Sequence, residues 1–345
     1  MMRKELLLRH SAWMTETDSP VVISCRVRLA RNLEEYPFPH VLNQEGTTLV
    51  EQDVVQALND LKVESELTYL PLAELNGIER QVLVEKHLVS PDLGEAAGSR
   101  GVALAPDHRY AVMVNEEDHV RIQVLLPGNQ LMEAHRLADK LDDAMEAELD
   151  FAYRERQGYL TACPTNVGTG LRASVMVHLP GLVLMQQVQQ VLGALARLGF
   201  DIRGLYGEGS QASGHMFQVS NQITLGKSEE DIINHLNAVT GQIVEHELRA
   251  RKLLQAQTPL VLEDKVWRAR GTLQNARLLT SEDAIHLLSH DRLGSDLGLL
   301  PKVRDSFASL IVGTRPGCLQ YGLEKELDSG QRDIERARLV RGAMA

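Results

Sequence analysis

The sequence predicts an α+β protein in two parts, a mixed first domain at residues 1–257 and an all-α second domain at residues 258–345. In the first part, short runs that alternate apolar and polar residues, as strands do, stand between longer segments with helical spacing. The chain breaks at Gln257-Thr258-Pro259, and every segment beyond this break has helical spacing. A length of 345 residues suits two domains better than one or three.

The first strand is predicted at Val21–Leu29, where Val27 and Leu29 can face a core while Arg26 and Arg28 share the opposite face. A strand that carries two arginines on one face places two cations side by side. This pattern indicates a strand that packs against the core with one face and can bind an anion with the other.

The next elements are a helix, an ambiguous segment, a loop and a hairpin. Val50–Leu61 has helical spacing, and Leu83–Leu88 fits a strand or the end of a helix. Residues 90–101 are rich in glycine and small polar residues and are predicted to form a mobile loop. Two strand-like runs, Ala111–Asn115 and Val120–Leu126, then enclose an acidic turn, which predicts a hairpin with charge at its tip.

Beyond the hairpin, Asn129–Leu149 is predicted to be a long amphipathic helix. Strands are predicted at Ser174–Leu179 and Gln218–Leu225, with a helix over Val183–Leu198 between them. Ser228 has an acidic residue three positions on and is expected to cap the following helix. The second domain is predicted to hold helices at Leu262–Ala276, Ser281–Leu288, Leu299–Val312 and Leu323–Ala343.

Composition excludes several classes of function. The net charge of −11 argues against a general nucleic-acid binder, which needs many cations on phosphates. No apolar stretch is long enough to span a bilayer, and the first residues are too charged for a signal peptide. Three scattered cysteines make neither a disulfide framework nor a zinc site, so we expect a reduced, cytoplasmic protein.

Arginines in particular contexts are the first functional signal. A planar guanidinium offers paired donors and keeps its charge, which suits the phosphates of a nucleoside triphosphate. The second signal is two glutamates that each have an arginine a few residues away in the sequence. Glu117 is followed by Arg121, and Glu208 is preceded by Arg203. The candidate phosphate-binding arginines are Arg26, Arg28, Arg121, Arg172 and Arg203.

Five blocks of this chain, in order, resemble the guanidino (phosphagen) kinases, which move phosphate from ATP to a guanidinium. They are residues 24–28, 86–88, 115–121, 163–174 and 203–208. The resemblance implies an antiparallel sheet flanked by helices, ATP as substrate and Mg²⁺ carried on its phosphates. It implies that Glu117 and Glu208 clamp and deprotonate the acceptor guanidinium, with Cys163 beside them. The nucleotide site it implies comprises Ser24, Cys25, Arg26, Val27, Arg28, His87, Arg121, Arg172, Ala173, Ser174, Val175, Met176, Arg203, Gly204, Leu205, Tyr206, Gly207 and Glu208.

Two features of this sequence differ from the members that phosphorylate small metabolites, and they indicate which branch of the family it resembles. The Arg-x-Arg strand begins near residue 26, so we expect no helical N-terminal domain and an open acceptor side. The helical part after residue 258 has no counterpart in those enzymes. Both features are typical of the bacterial protein arginine kinases, which phosphorylate arginine side chains of proteins. That resemblance implies a stress-response role with protein substrates, a CtsR-type repressor, an McsA-type activator and a Clp ATPase as partners.

The tail adds a motif of the same family. Arg332, Asp333 and Arg336 match a pattern by which these kinases bind phosphoarginine allosterically, and Arg332 and Arg336 share a helix face. The helical part is expected to dimerise and to carry this sensor. No residue is assigned to a metal: His286 and His290 lie four apart on a predicted helix, and a structural or surface role is expected for this pair.

Two alternatives stay open. A kinase of free arginine would use the same carboxylates and arginines, but it needs a lid over its small substrate. A non-catalytic adaptor would recognise phosphoarginine through Arg332 and Arg336 and would not need Glu117 and Glu208. Phosphate transfer to a protein, to free arginine or to neither would separate the three possibilities.

Overall fold

The computed structural model describes residues 3–61, 66–204 and 212–345. Within them, eight strands form one antiparallel sheet in the order β2-β3-β4-β5-β1-β8-β10-β9, and two short strands pair separately. The strands are β1 (Val22–Arg31), β2 (Thr68–Pro71), β3 (Gly101–Leu104), β4 (Tyr110–Val114), β5 (Val120–Pro127), β6 (Tyr153–Arg154), β7 (Gly158–Tyr159), β8 (Leu171–His178), β9 (Phe200–Gly204) and β10 (Met216–Asn221).

Helices cover both faces of the sheet. The helices are α1 (Arg3–Leu8), α2 (Gln44–Asp60), α3 (Gly77–Glu85), α4 (Pro91–Glu95), α5 (Leu131–Glu146), α6 (Pro180–Leu184), α7 (Val188–Arg197), α8 (Glu229–Gln257), α9 (Pro259–Asn275), α10 (Ser281–Asp296), α11 (Phe307–Gly313), α12 (Pro316–Leu323) and α13 (Ser329–Ala343). The α+β class with an antiparallel sheet and a helical C-terminal part is therefore confirmed.

Strand β1 lies at the centre of the sheet, between β5 and β8. Arg28 stands opposite Gln123 of β5 and Arg172 of β8, so these three side chains project from one face of the sheet. Cys25 and Val27 project from the other face and are buried in the hydrophobic core on that side of the sheet. The predicted division of this strand into an apolar and a cationic side is confirmed.

Each face of the sheet has its own hydrophobic core. The first core packs the sheet against α2, α5 and α8 through residues such as Val54, Leu137 and Leu236. The second core packs the opposite face against the first residues of the chain and the C-terminal helices, and it includes Trp13 and Leu310. The helical part therefore shares a core with the sheet and does not stand apart as a separate globule.

Several predicted elements have different bounds in the structure. The prediction of a mobile loop at 90–101 is wrong in part, because α4 begins after Ser90, whose hydroxyl accepts a hydrogen bond from Leu93 N–H at 3.1 Å. The single helix predicted at 183–198 is two helices, α6 and α7, separated near Gln186, which has a φ of 58°. Before Ser306, the N-cap of α11, the segment predicted as helix from Leu299 is not helical.

The two ends of the break at Thr258 are as predicted, with α8 ending at Gln257 and α9 beginning at Pro259. Ser228 caps α8 through a hydrogen bond from Asp231 N–H at 3.1 Å. No helix in the described ranges combines the length and apolarity that crossing a membrane would require.

Candidate active site

The hairpin of β4 and β5 ends in a tight turn held by Asn115. Asn115 adopts a φ of 55°, a left-handed conformation that asparagine tolerates better than most residues. Its side-chain amide donates to the carbonyls of Thr47 and Ser99, both at 2.8 Å, and its N–H donates to His119 O at 2.9 Å. These bonds fix the position of the acidic residues that follow.

The three acidic residues at the tip have three different environments. The buried carboxylate of Glu116 accepts from Arg121 Nη1 at 2.5 Å and from Ser90 Oγ at 2.7 Å. The carboxylate of Glu117 lies 2.5 Å from Arg121 Nη2, but its side chain is 44% exposed. Among these three, Glu117 therefore combines an exposed carboxylate with a place beside the cationic face.

Asp118 is fully buried and ties the tip to the segment that leads to Cys163. It accepts from Asn32 Nδ2 and from Ala162 N–H, both at 2.7 Å. Burial raises the pKa of its carboxyl group, while the two hydrogen bonds lower it. Asp118 therefore has a structural role, which separates it from its neighbour Glu117.

The cationic face of the sheet concentrates positive charge in a partly desolvated place. Burial, together with the charges of Arg26, Arg121 and Arg172, lowers the pKa of Arg28. Burial and the charges of Arg172 and Arg121 lower the pKa of Arg26 to about 10. Such mutual repulsion is relieved by an anion bound between the guanidinium groups.

Some of these arginines also have fixed protein partners. Arg26 Nη2 donates to Gln218 Oε1 at 2.9 Å, and Arg172 Nη2 donates to Asp201 Oδ2 at 2.5 Å. Arg203 reaches the same carboxylate oxygen of Asp201 at 3.0 Å. The Nε atoms of Arg28 and Arg172 are buried without an acceptor in the described part of the chain, so they add to the unbalanced positive charge of this face.

The arginines of the cationic face, together with Glu116 and Glu117 of the hairpin tip, line one cleft of about 930 Å³. The cleft brings together both halves of the chemistry expected from the sequence, the phosphate-binding arginines and the acceptor-side residues. The predicted site residues that line it are Arg26, Arg28, His87, Glu117, Arg121, Cys163, Arg172, Arg203 and Gly204.

Other predicted nucleotide-site residues are placed differently. The side chains of Cys25, Val27, Ala173 and Val175 lie in the first core, on the face of the sheet opposite the cleft. Ser24, Ser174 and Met176 are buried and are not among the described residues that line the cleft. Contact of a nucleotide with the four core residues would have to use their backbone atoms. Four further predicted residues, Leu205, Tyr206, Gly207 and Glu208, lie outside the described residues.

Cys163 lines the cleft and lies just before a short 3-10 turn at Pro164–Asn166. Its sulfur lies 3.0 Å from Thr165 Oγ1, and Thr161 Oγ1 donates to its carbonyl at 2.8 Å. It is a free, half-buried thiol, in contrast to the fully buried Cys25. The prediction that Cys163 acts on the acceptor remains a prediction, with a position that permits it.

His87 lies at the end of α3 with a φ of 58° and packs its ring against Trp13 at a centroid distance of 5.3 Å. Burial and the charges of Arg26 and Arg315 lower the pKa of His87 to about 3, so its ring is neutral. Gln123 Nε2 donates to the His87 carbonyl at 2.9 Å.

Sequence reasoning missed several polar residues that line the cleft, among them Ser90, Gln218, Arg100 and Arg315. Arg100 Nε donates to Asn115 O at 2.8 Å and so supports the hairpin tip. Arg315 comes from the C-terminal part. The alternation around β10 could have identified Gln218, whereas no local pattern marks Arg315.

The tail residues lie on α13 and are not among the described residues that line the cleft. Arg336 is 1% exposed, and its guanidinium donates to Thr314 O and Leu279 O, both at 2.7 Å, and to Asp333 Oδ1 at 2.5 Å. Arg332 Nη1 donates to Leu327 O at 2.7 Å. In this conformation Arg336 connects α13 to two neighbouring segments.

Two groups of side chains bear on metal binding. His135, Asp139 and Glu229 have ligand atoms within 4.8 Å of one another, and His135 Nε2 lies 2.7 Å from Glu229 Oε2. That ion pair between α5 and α8 accounts for the arrangement without an ion. His286 and His290 have a neighbour that the sequence did not show, the ring of His215 at 5.3 and 5.1 Å.

Comparison with known proteins agrees with this geometry. Residues 49–250 match the family described as ATP:guanido phosphotransferase, C-terminal catalytic domain. Residues 259–345 match the protein-arginine kinase McsB C-terminal domain. The chain is 50% identical to the protein-arginine kinase of Moorella thermoacetica, over 98% of this chain and 99% of that one. The chain belongs to the protein-arginine kinase family. A relative of the same name from Desulforamulus reducens is also 50% identical, over 96% of this chain and 95% of that one.

Solved structures support the same family fold. A lombricine kinase superposes with a TM-score of 0.59 at 25% identity, covering 70% of each chain. The duplicated taurocyamine kinase of Schistosoma mansoni superposes with a TM-score of 0.62 at 25% identity, covering 76% of this chain and 40% of that one. Members of this family are phosphotransferases with a nitrogenous acceptor, so the predicted class of enzyme is confirmed.

Proposed function

We propose that this chain transfers the γ-phosphoryl group of ATP to the guanidinium group of arginine side chains in proteins. The observation that carries the proposal is the single cleft that brings Arg28, Arg121 and Arg172 together with Glu117 and Cys163. A polyanion and a cation must meet in one place for this reaction, and the cleft offers complementary charge to both.

The donor side is formed by the arginines of the sheet. Arg26, Arg28 and Arg172 would hold the phosphates, and Arg203 would add a fourth fork from β9. Of the four carboxylates among the described residues that line the cleft, Glu85, Glu116 and Glu117 already accept hydrogen bonds from protein donors, which leaves Asp92. Mg²⁺ bound with ATP would therefore take most of its ligands from phosphate oxygens and water, where it neutralises phosphate charge.

The acceptor side is formed by Glu117, Cys163 and, from outside the described residues, Glu208. A protonated guanidinium is not a nucleophile, so a carboxylate must take a proton from the attacking nitrogen as the bond to phosphorus forms. The bond between the γ-phosphorus and the β,γ-bridging oxygen breaks, and ADP leaves with its electrons. Glu117 and Glu208 would orient the guanidinium, and one of them would accept the proton.

Arg121 would link the two sides. Its guanidinium is paired with Glu117 at 2.5 Å, so it competes with the acceptor for this carboxylate. Bound phosphates would draw Arg121 towards them and leave Glu117 free for the guanidinium of the substrate. This arrangement favours binding of ATP before binding of the arginine.

The wider role is part of the same proposal. Phosphorylated proteins would be passed to a Clp ATPase for degradation, and a CtsR-type repressor would be inactivated in a cytoplasmic stress response. An McsA-type activator and a homodimer would complete the assembly. The relatives named protein-arginine kinase support proteins as substrates, and the motif of Arg332, Asp333 and Arg336 supports recognition of the phosphoarginine product. Phosphoarginine binding at the tail would require Arg336 to exchange its present carbonyl partners.

The test is transfer from labelled ATP to a denatured protein or to free arginine. We expect acid-labile, base-stable phosphate on arginine of the protein, and loss of the label in Glu117→Gln and in Glu208→Ala. Label on free arginine alone would show a small-molecule kinase. Absence of any transfer, with phosphoarginine still bound, would show an adaptor.

A further inference from the structure

Arg315 enters the cleft from the C-terminal part of the chain. It is the N-cap residue of α12, half-buried, and it lines the same cleft as His87 and Arg26. The matched catalytic-domain family ends at residue 250, so this arginine belongs to the other matched segment. The positive charge in the cleft therefore depends in part on how the C-terminal segment packs against the catalytic part.

Two contacts hold the start of α12 against the catalytic part. The carboxylate of Glu85, at the end of α3, accepts from Gly317 N–H at 2.8 Å and from Cys318 N–H at 2.7 Å. An added Cβ at Gly317 would lie 2.9 Å from Gln81 Cβ and 3.0 Å from Glu85 Oε2. The two helices therefore approach so closely that a side chain at this position would move α12.

The residue before Arg315 is held from the other side. The carbonyl of Thr314 accepts from Arg336 Nε at 2.7 Å, and both residues are buried. Arg315 is therefore fixed between Glu85, which is two residues from His87, and Arg336 of the tail. Its backbone has little freedom to leave the cleft.

Arg315 enters the cleft beside His87, because the start of α12 is bonded to Glu85, two residues before His87. Besides burial, the charges of Arg26 and Arg315 lower the pKa of His87, which agrees with this placement. The γ-phosphate must lie beside Glu117, where the acceptor binds, and Glu117 pairs with Arg121. The part of the cleft beside His87 is then left for the ribose and base.

We propose that Arg315 binds the nucleoside half of ATP and that Arg336 is a positioning residue that holds it there. The proposal rests on the proposed kinase function for the choice of ATP as ligand. A guanidinium can donate to ribose hydroxyls and can also lie flat against a purine ring.

The first test is ATP binding by calorimetry, which needs no turnover. We expect Arg315→Ala to weaken ATP binding about tenfold, the effect of losing one charged hydrogen bond, and Arg315→Lys to recover part of it. Binding of inorganic tripolyphosphate, which lacks the nucleoside, should be unchanged. Arg338→Ala is the matched control, because Arg338 is exposed and pairs with Glu335 on α13. Unchanged ATP binding in Arg315→Ala, or an equal loss for tripolyphosphate, overturns the proposal.

Kinetics separate this contact from a general loss of structure. In Arg315→Ala we expect a raised KM for ATP, with kcat at saturating ATP and the KM for the protein substrate both retained. An enzyme that is inactive before mutation would refute the kinase function, while the calorimetric comparison would still decide the role of Arg315.

The role of Arg336 is tested by a double-mutant comparison. If Arg336 acts through Arg315, Arg336→Lys weakens ATP binding in the native background and has no further effect in the Arg315→Ala background. Equal weakening in both backgrounds would show that Arg336 does not act by positioning Arg315.

Discussion

The carboxylate of Glu117 lies 2.5 Å from Nη2 of Arg121, four residues further along the same hairpin. One residue is predicted to bind the acceptor and the other the phosphates, so the two halves of the reaction contact each other before any substrate is present. Arg121 holds Glu116 through its other nitrogen, also at 2.5 Å. A change at either glutamate therefore alters Arg121, but in different ways.

Replacing Glu117 by glutamine should lower kcat by about 100-fold or more, because loss of a positioned base typically has an effect of this size. Binding of ATP should be kept or become tighter, since Arg121 loses a competing partner. The matched variant Glu116→Gln should instead raise the KM for ATP, because Glu116 orients Arg121 and touches Ser90. Steady-state kinetics measure both, and equal kinetic profiles for the two variants would contradict the assignment.

Arg28 should strengthen ATP binding while it lowers the stability of the free protein. It is half-buried near three other cations, so Arg28→Met should raise the stability of the free protein by about 1 kcal/mol, while ATP binding weakens at least about tenfold. Arg31 lies on the same strand but is paired with Asp142 at 2.5 Å. Arg31→Met should therefore destabilise the protein. Thermal unfolding with and without ATP compares the two variants, and a similar fall in Tm for both would refute the argument.

Alkylation should distinguish the three cysteines. Burial raises the pKa of the Cys25 thiol to about 12, and burial together with the charge of Glu85 raises that of Cys318. Cys163 is half-buried and lines the cleft, so it should react first with iodoacetamide at neutral pH. Mass spectrometry of peptides after a short reaction shows which thiol is labelled. Labelling of Cys25 or Cys318 at the same rate would show that the described environments do not control reactivity.

Acid should destabilise the hairpin tip through His119. Its Nδ1 accepts from Leu33 N–H at 3.1 Å, and its Nε2 donates to Pro37 O at 3.0 Å, which requires a neutral ring. Burial lowers its pKa from 6.5 to about 4. Between these values the unfolded chain binds more protons than the folded one, so stability is present above pH 6.5 and falls as the pH drops towards 4.

At pH 5, about 1.5 pH units below the unfolded-state pKa of 6.5, His119 should lower the free energy of unfolding by roughly 2 kcal/mol. Urea unfolding at pH 7 and pH 5 measures it. His119→Gln should show a smaller pH dependence than the native protein, whereas His40→Gln, at an exposed position, should keep the native pH dependence. An unchanged dependence in His119→Gln would contradict the prediction.

Local patterns in the sequence predicted local structure well. Two strand-like runs that flank an acidic turn predict the hairpin around Glu117. The cationic face of β1 followed from the alternation of residues along that strand. In the described residues, the cleft then unites Arg28, Arg121 and Cys163, which lie far apart in the chain.

Contacts between distant segments could not be predicted in this way. The spacing of Arg332 and Arg336 shows that they share a helix face, but it does not show that Arg336 is turned into the protein and bonded to Thr314 and Leu279. Nor does any pattern near Arg315 indicate a cleft residue. The predicted convergence of Glu117 with Glu208 stays a prediction, since Glu208 lies outside the described residues.

The second core joins side chains from both extremes of the numbering, Leu6 and Trp13 with Val340 and Met344. During synthesis on the ribosome, this face of the sheet is therefore fully covered only after α13 has been made. Until then its apolar surface stays open to chaperones or to other nascent chains. A fragment that stops before α13 would lack Val340 and Met344 in this core, so we expect such a fragment to be inactive.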